Sequence, residues 1–173
     1  MVSSRGLGDV YKRQSIWFVQ SVGRELRVID YYEAAGHGLD HYVKVLDAKG
    51  YAYAKHYGPH DIQVRELGSG RSRWEIAREM GVTFTVVPQM PVFDGINAAR
   101  MTIPRMWFDA KKTTLGVDAL RQYRDKMDEK RGIALGPLHD WTSHAADAFR
   151  YFCVGHQEEV GNKPLKITRK WVV

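Results

Sequence analysis

The chain has 173 residues, with 26 Lys or Arg against 20 Asp or Glu for a formal net charge of +6; 44% are hydrophobic, 12% aromatic, and one is cysteine. This length suits one domain with a sizeable core, and a mean hydropathy of -0.42 with no apolar run near ~18 residues excludes a membrane-spanning helix. The single thiol, Cys153, rules out a disulfide framework within the chain and any Cys-rich zinc site, and points to a reducing compartment. The basic excess hints at a polyanionic partner without establishing one.

The N-terminus stands apart. Residues 4–14, SRGLGDVYKRQ, match one in-frame translation of a transposon-end adapter used in sequencing libraries, so residues 1–14 are expected to be a non-native tail. Setting aside Arg5, Lys12 and Arg13 against Asp9 removes two net positive charges and leaves +4. From Ser15, SIWFVQSVG and RELRVIDYYEAAG are β-rich and parted at Gly23, which predicts a hairpin or meander. Leu39, Tyr42, Val43 and Leu46 fall at i, i+3, i+4 and i+7, the apolar face of a helix ending at Gly50. YAYAKHYGPHD predicts a short strand stopped by Gly58 and Pro59, with His60 and Asp61 at its tip.

Helices are expected over 72–80, closing at Gly81, over 95–101, and over 117–130, where Val117, Leu120, Tyr123, Arg124 and Met127 keep helical register. Between the first two, TFTVVPQ reads as a compact buried strand ended by Pro88. The last strong element is a helix over 142–154, with Ala145, Ala148, Phe149 and Phe152 on its apolar face; the stretch after Gly155 is polar with a β-like end and is set apart as a tail, residues 156–173. The order of elements predicts an α/β domain over 15–155, a mixed sheet covered by helices.

Three carboxylates are candidates for chemistry. Asp61 follows a strand and a Gly-Pro break, while Asp140, His144, Asp147 and Tyr151, spaced four, three and four, line one side of a helix. Carboxylates converging from distant sequence repel one another unless cations neutralise them, and oxygen ligands select Mg2+ or Mn2+ over zinc. The structural alternatives stay open: Asp140 or Ser143 as a helix N-cap, Asp61 as a turn residue, His60 and His144 as hydrogen-bonded structural histidines. The pairs Tyr31-Tyr32, Trp107-Phe108 and Tyr151-Phe152 read as core, and residues 109–112 as a solvated turn. No phosphate-binding loop is present, since Lys112-Thr113 lacks the preceding glycines, and no nucleophile elbow supports a Ser/His/Asp triad.

Four segments in order, VIDYYEAAGHGLDHYVKVL, YGPHDIQVRELGSGRSRWEIAREMG, DGINAARMTIPRMWFD and LHDWTSHAADAFRY, resemble the C-terminal nuclease domain of large terminase subunits from tailed bacteriophages. The resemblance spans residues 24–154. It implies an RNase H-like fold, a central mixed β-sheet with helices on both faces, and a two-metal-ion endonuclease that cuts concatemeric double-stranded viral DNA during genome packaging. Three acids hold the metals in that family. Asp61 resembles the second and Asp147 the third, with Asp140 a neighbour able to assist.

The first acid has no counterpart, because its strand should precede SIWFVQ, where the adapter-like residues stand and Asp9 is a chance occupant. The first strand is therefore expected to be missing, as is the ATP-driven motor domain, and this chain is expected to cleave DNA poorly or not at all. The family implies two Mg2+ or Mn2+ ions, ATP only through the absent motor, double-stranded viral DNA, portal protein and terminase small subunit as partners, no membrane, and the cytoplasm of the infected host cell. Arg65, Arg71, Arg73, Lys111 and Lys112 are candidate phosphate contacts, with solvated surface as the alternative. Two other functions stay open: an RNase H-like nuclease of the junction-resolvase type, and a noncatalytic DNA- or portal-binding module.

Overall fold

The computed structural model describes residues 13–161 apart from Leu67. In chain order the elements are β1 (Gln14–Val22), β2 (Glu25–Ala34), α1 (Leu39–Lys49), β3 (His56–Pro59) running into a 3-10 turn (His60–Gln63), α2 (Arg73–Glu79), β4 (Phe84–Val87), α3 (Val92–Thr102) with a 3-10 turn (Ile103–Arg105), β5 (Met106–Phe108), α4 (Thr114–Gln122), β6 (Asp125–Asp128), β7 (Ile133–Pro137) and α5 (Ser143–Gly161). Arg13 pairs with Glu33 and Gln14 opens β1, 6% exposed. The rest of the expected tail, residues 1–12, lies outside the described residues, as do residues 162–173 of the expected C-terminal tail.

β1 and β2 form the predicted antiparallel hairpin, turning at Gly23, whose φ of +60° lies in the left-handed region that glycine adopts without strain. β5 joins β2 in parallel, so one sheet has the order β1-β2-β5; β3 and β4 make a second, parallel pair, and β6 and β7 an antiparallel hairpin. Alternate residues of a strand point to opposite faces, and β1 shows the consequence: Trp17 enters one core and Ile16 and Phe18 the other. The first core joins Trp17, Leu26, Val28 and Tyr31 to Ala98 and Ala99 of α3, Ala119 of α4, and Ala145, Ala148, Phe149 and Phe152 of α5. The second joins Ile16 and Phe18 to Tyr42, Val43 and Leu46 of α1, Ala77 of α2, Ile62 and Phe84. Helices therefore cover both faces of a mixed sheet, and the α/β class read from the sequence holds.

Two glycines set how closely helices approach. A Cβ on Gly116 of α4 would lie 2.8 Å from the Tyr31 ring and overlap Trp17; one on Gly155 of α5 would lie 2.8 Å from Tyr57 and 2.9 Å from Val87. Gly155 is thus a contact point within α5, where the sequence suggested an end. The helix runs on to Gly161 because its packing against β3 and β4 favours that residue's small size over its weak helix propensity.

Three further expectations are corrected. The helix expected over 117–130 stops at Gln122. Beyond it Arg124, Asp125, Lys126 and Met127 are all exposed, so no apolar face rewards a helix, and the chain turns back as β6–β7. The hairpin turn is held by Asp128 Oδ1, which accepts from the Lys130 and Arg131 amides at 3.0 and 3.2 Å, and by Gly132 at φ +65°. The strand expected from Tyr51 begins only at His56; Gly58 and Pro59 are its last residues, in register with Val86 and Val87, and it stops there with His60 and Asp61 at its tip as expected. β3 is paired only with β4 among the described residues, and a proline fits a strand with one side unpaired. Finally, Trp107 is 64% exposed, whereas its neighbour Phe108 packs against the first core; on a three-residue strand the two point to opposite faces.

Candidate active site

The tip of β3 and the first half of α5 meet. Gly58 lets β3 lie close to Phe84 and Ile62, since a Cβ there would come within 3.1 and 3.2 Å of them. Ile62, 3% exposed, anchors the following 3-10 turn in the second core. Asp61 sits in that turn, whose backbone closes through the Val64 amide onto Asp61 O at 3.1 Å, and its Oδ1 is shielded from solvent. On the helix side, Tyr57 packs edge-on to Phe152 with ring centroids 5.9 Å apart, and His60 Nδ1 lies 3.1 Å from the Tyr151 hydroxyl. The chain neighbour of Asp61 thus touches the residue one helical turn, about 6 Å of rise, from Asp147. Asp61 and Asp147 share one region of the molecule.

Asp147 is bonded to Arg150 on the same helix, and the two side chains are 18% and 10% exposed. Arg150 also donates to the Val92 carbonyl at 3.3 Å, tying Asp147 to the start of α3. The sequence reading passed over Arg150, although its place three residues after an acid on a helix was the available signal.

Asp140 lies ahead of α5 and has structural work. Its Oδ1 accepts from the Thr142 hydroxyl at 2.6 Å and the Thr142 amide at 2.9 Å, and these bonds hold its pKa below the ordinary carboxylate value. Its own amide donates to Ser143 Oγ at 3.0 Å, and that hydroxyl donates to Leu138 O at 3.0 Å. Asp140 therefore lies off the helix stripe expected for it and, rather than capping α5, orders the turn before it with one carboxylate oxygen.

Four of the basic candidates have partners of their own away from these acids. Arg65 lies 3.8 Å from Glu75 and its backbone bridges to Ser72; Arg71 is bonded to Glu79 on α2, which raises the guanidinium's pKa and lowers the carboxyl's. Arg73 opens α2 behind the Ser72 cap. The amides of Lys111 and Lys112 both donate to Asp109 Oδ1 at 2.9 Å, and Lys112 Nζ lies 3.4 Å from the Tyr51 hydroxyl. The loop at residues 109–112 is the solvated turn expected.

Carboxylate oxygens are the donors that Mg2+ and Mn2+ prefer, so Asp61 and Asp147 have the right chemistry for the implied ions. Their number does not suffice. Among the described residues no group of three His, Cys, Asp or Glu side chains is placed to hold a metal ion, and Asp147 already has a cationic partner. The described residues by themselves do not make a two-metal centre.

No family model matches the chain, and no curated protein matches it. Among solved structures, the large terminase from a thermophilic bacteriophage superposes with a TM-score of 0.62 at 14% identity, over 85% of this chain and 37% of that one. No helix among the described residues is long and apolar enough to cross a membrane. The chain spans little more than a third of the terminase's length, and what it shares with that part of a phage large terminase is the fold.

Proposed function

We propose that the chain is the nuclease portion of a phage large terminase subunit, a metal-dependent endonuclease acting on concatemeric double-stranded viral DNA during genome packaging in the infected cell's cytoplasm. The observation that supports this reading is the contact of His60, the chain neighbour of Asp61, with Tyr151 of α5, one helical turn from Asp147, in a terminase-like fold. In this reading the two carboxylates are two of the metal-holding acids, and a third comes from outside the described residues, on a strand ahead of β1. β1 and β3 each have one unpaired edge among the described residues, and both pack against α5. Asp140 acts on the site only by ordering the approach to α5. ATP hydrolysis, the portal protein and the small subunit enter through the whole packaging machine.

The test is supercoiled-plasmid cleavage with Mg2+ or Mn2+ by two proteins: the 173-residue chain, and a version extended by the strand encoded upstream in the unbroken gene. The extended protein should cut, and Asp61→Asn or Asp147→Ala should each reduce cutting at least about a hundredfold. The shorter chain should cut slowly or not at all. Full activity in both variants would sink the assignment. The absence of a three-ligand group among the described residues and the Arg150–Asp147 pair favour a second reading for the chain as it stands, a noncatalytic DNA- or portal-binding module. An inactive extended protein that still shifts duplex DNA in a gel would support it.

A further inference from the structure

Arg150 is a buried charge that the proposed chemistry leaves unused. It is 8% exposed. Its Nη2 bonds to Asp147 Oδ1, its Nη1 donates to Val92 O at 3.3 Å, and its stem lies over Gly95, where a Cβ would come within 3.3 Å of both Arg150 Cβ and Nη1. Its Nε is buried without a hydrogen-bond partner among the described residues. A guanidinium withdrawn this far from water needs a compensating anion, and the carboxylate bonded to it is that of Asp147. α3 fixes the cation through Val92 and leaves room for it at Gly95, so the positive charge is a built part of the α3–α5 contact.

The charge count around the proposed site follows. Asp61 and Asp147 bring two negative charges and Arg150 cancels one, whereas a pair of divalent ions brings four positive charges. A fixed monocation at hydrogen-bond distance from a ligand carboxylate repels an incoming divalent ion and competes with it for the same oxygen. Resting on the assignment of Asp147 to a cation site, we propose that Arg150 is the resident counter-ion of Asp147. This autoinhibitory contact keeps the carboxylate tied to α3 and poor at binding divalent cations until the ion pair opens. It accounts for the shielding of Asp147 within the α3–α5 contact.

The experiment is Mn2+ binding to the 173-residue chain, read by the electron paramagnetic resonance of free Mn2+. Arg150→Met should bind Mn2+ at least about tenfold more tightly than the parent chain, because a repulsive charge is gone. Arg150→Lys, which keeps the charge, should stay near the parent, and adding Asp147→Ala to Arg150→Met should abolish the gain. If Arg150→Met binds no more tightly while Asp147→Ala weakens binding, the counter-ion role is overturned and the cation site stands. A gain in Arg150→Met that survives Asp147→Ala overturns the assignment of Asp147 itself. A second measurement needs no Arg150 variant to fold: in the unaltered chain, Mg2+ should shift the 15N side-chain resonance of Arg150, and Asp147→Ala should remove that shift. An Arg150 signal that stays fixed while residues around Asp61 respond to Mg2+ overturns the inference.

Discussion

The two faces of the β1–β2 hairpin are held by different means. On the α5 face the contacts are made by small residues: Ala98 and Ala99 of α3, Gly116 and Ala119 of α4, and Ala145, Ala148 and Gly155 of α5 let helix backbones approach the strands and seat Trp17, Tyr31 and Phe149 between them. On the opposite face large side chains are tethered by hydrogen bonds. Tyr42 and Tyr53 donate to Ala34 O and Leu46 O at 3.0 and 2.8 Å, Trp74 Nε1 donates to Phe84 O at 3.1 Å, and Lys49 and Tyr51 bond to buried Asp30 at 2.7 and 3.1 Å. Burial pushes the phenols of Tyr42 and Tyr53 up to about 12, so both stay protonated donors at ordinary pH. The first face combines close approach with its own hydrogen bonds, Trp17 Nε1 to Ala145 O at 2.9 Å and the Tyr31 hydroxyl to Glu33 at 2.6 Å, whereas the second relies more on tethered large side chains. The candidate site lies on the close-approach side, where α5 cannot shift without overlap at Gly155.

That contrast is open to experiment. The largest expected effect is at Phe149, 1% exposed at the centre of the α5 face: Phe149→Ala should cost about 4 kcal/mol in urea denaturation, from lost burial plus the cavity left behind. Next comes Gly116→Ala, expected to cost about 3 kcal/mol although it adds only one methyl group, because that group meets the Tyr31 and Trp17 rings. If the variant melts with the parent, the α5 face is not set by close approach.

On the tethered face Asp30→Ala should cost about 2 kcal/mol by leaving Lys49 and Tyr51 without their acceptor. A measured cost equal to that of a surface alanine would mean the tethers do not hold this face. The smallest effect is a pH dependence. Burial lowers the pKa of His56 below its ordinary 6.5, so the unfolded chain takes up the proton first. His56 therefore costs no stability above pH 6.5 and lowers it as pH falls through that value. Melting temperatures followed from about pH 7.5 to about pH 5 should fall less steeply in His56→Phe than in the parent; identical slopes would remove His56 as the cause.

Elements whose packing and propensity agree were legible in advance. The hairpin around Gly23, the helix closed by Gly50 at φ +66°, the helix capped by Ser72 and the strand ended by Pro88 each lie where residue pattern and turn chemistry point the same way. The misreadings fall where a local signal depends on what lies beside it. Helical register over 117–130 failed because no partner surface covers Arg124 or Met127. Gly155 resembled a stop because the strands packed on it come from residues 57 and 87, far away in sequence. At the candidate site, Asp61 and Asp147 stood out as residues, whereas Arg150 went unnoticed: an arginine on a helix is solvated by default, and only its burial makes it a partner.

The class of the fold, the hairpin, the helices that cover it and the acids worth attention were all written in the order of residues. They follow from the period of apolar positions and the conformations of glycine and proline, which are local properties. Which acids share a region, that Asp140 orders a turn, and that Asp147 faces a buried guanidinium were settled only by folding in three dimensions. Each of these depends on what groups from distant sequence are brought within a few ångströms, where charge and hydrogen bonding act strongly and chain order carries no information.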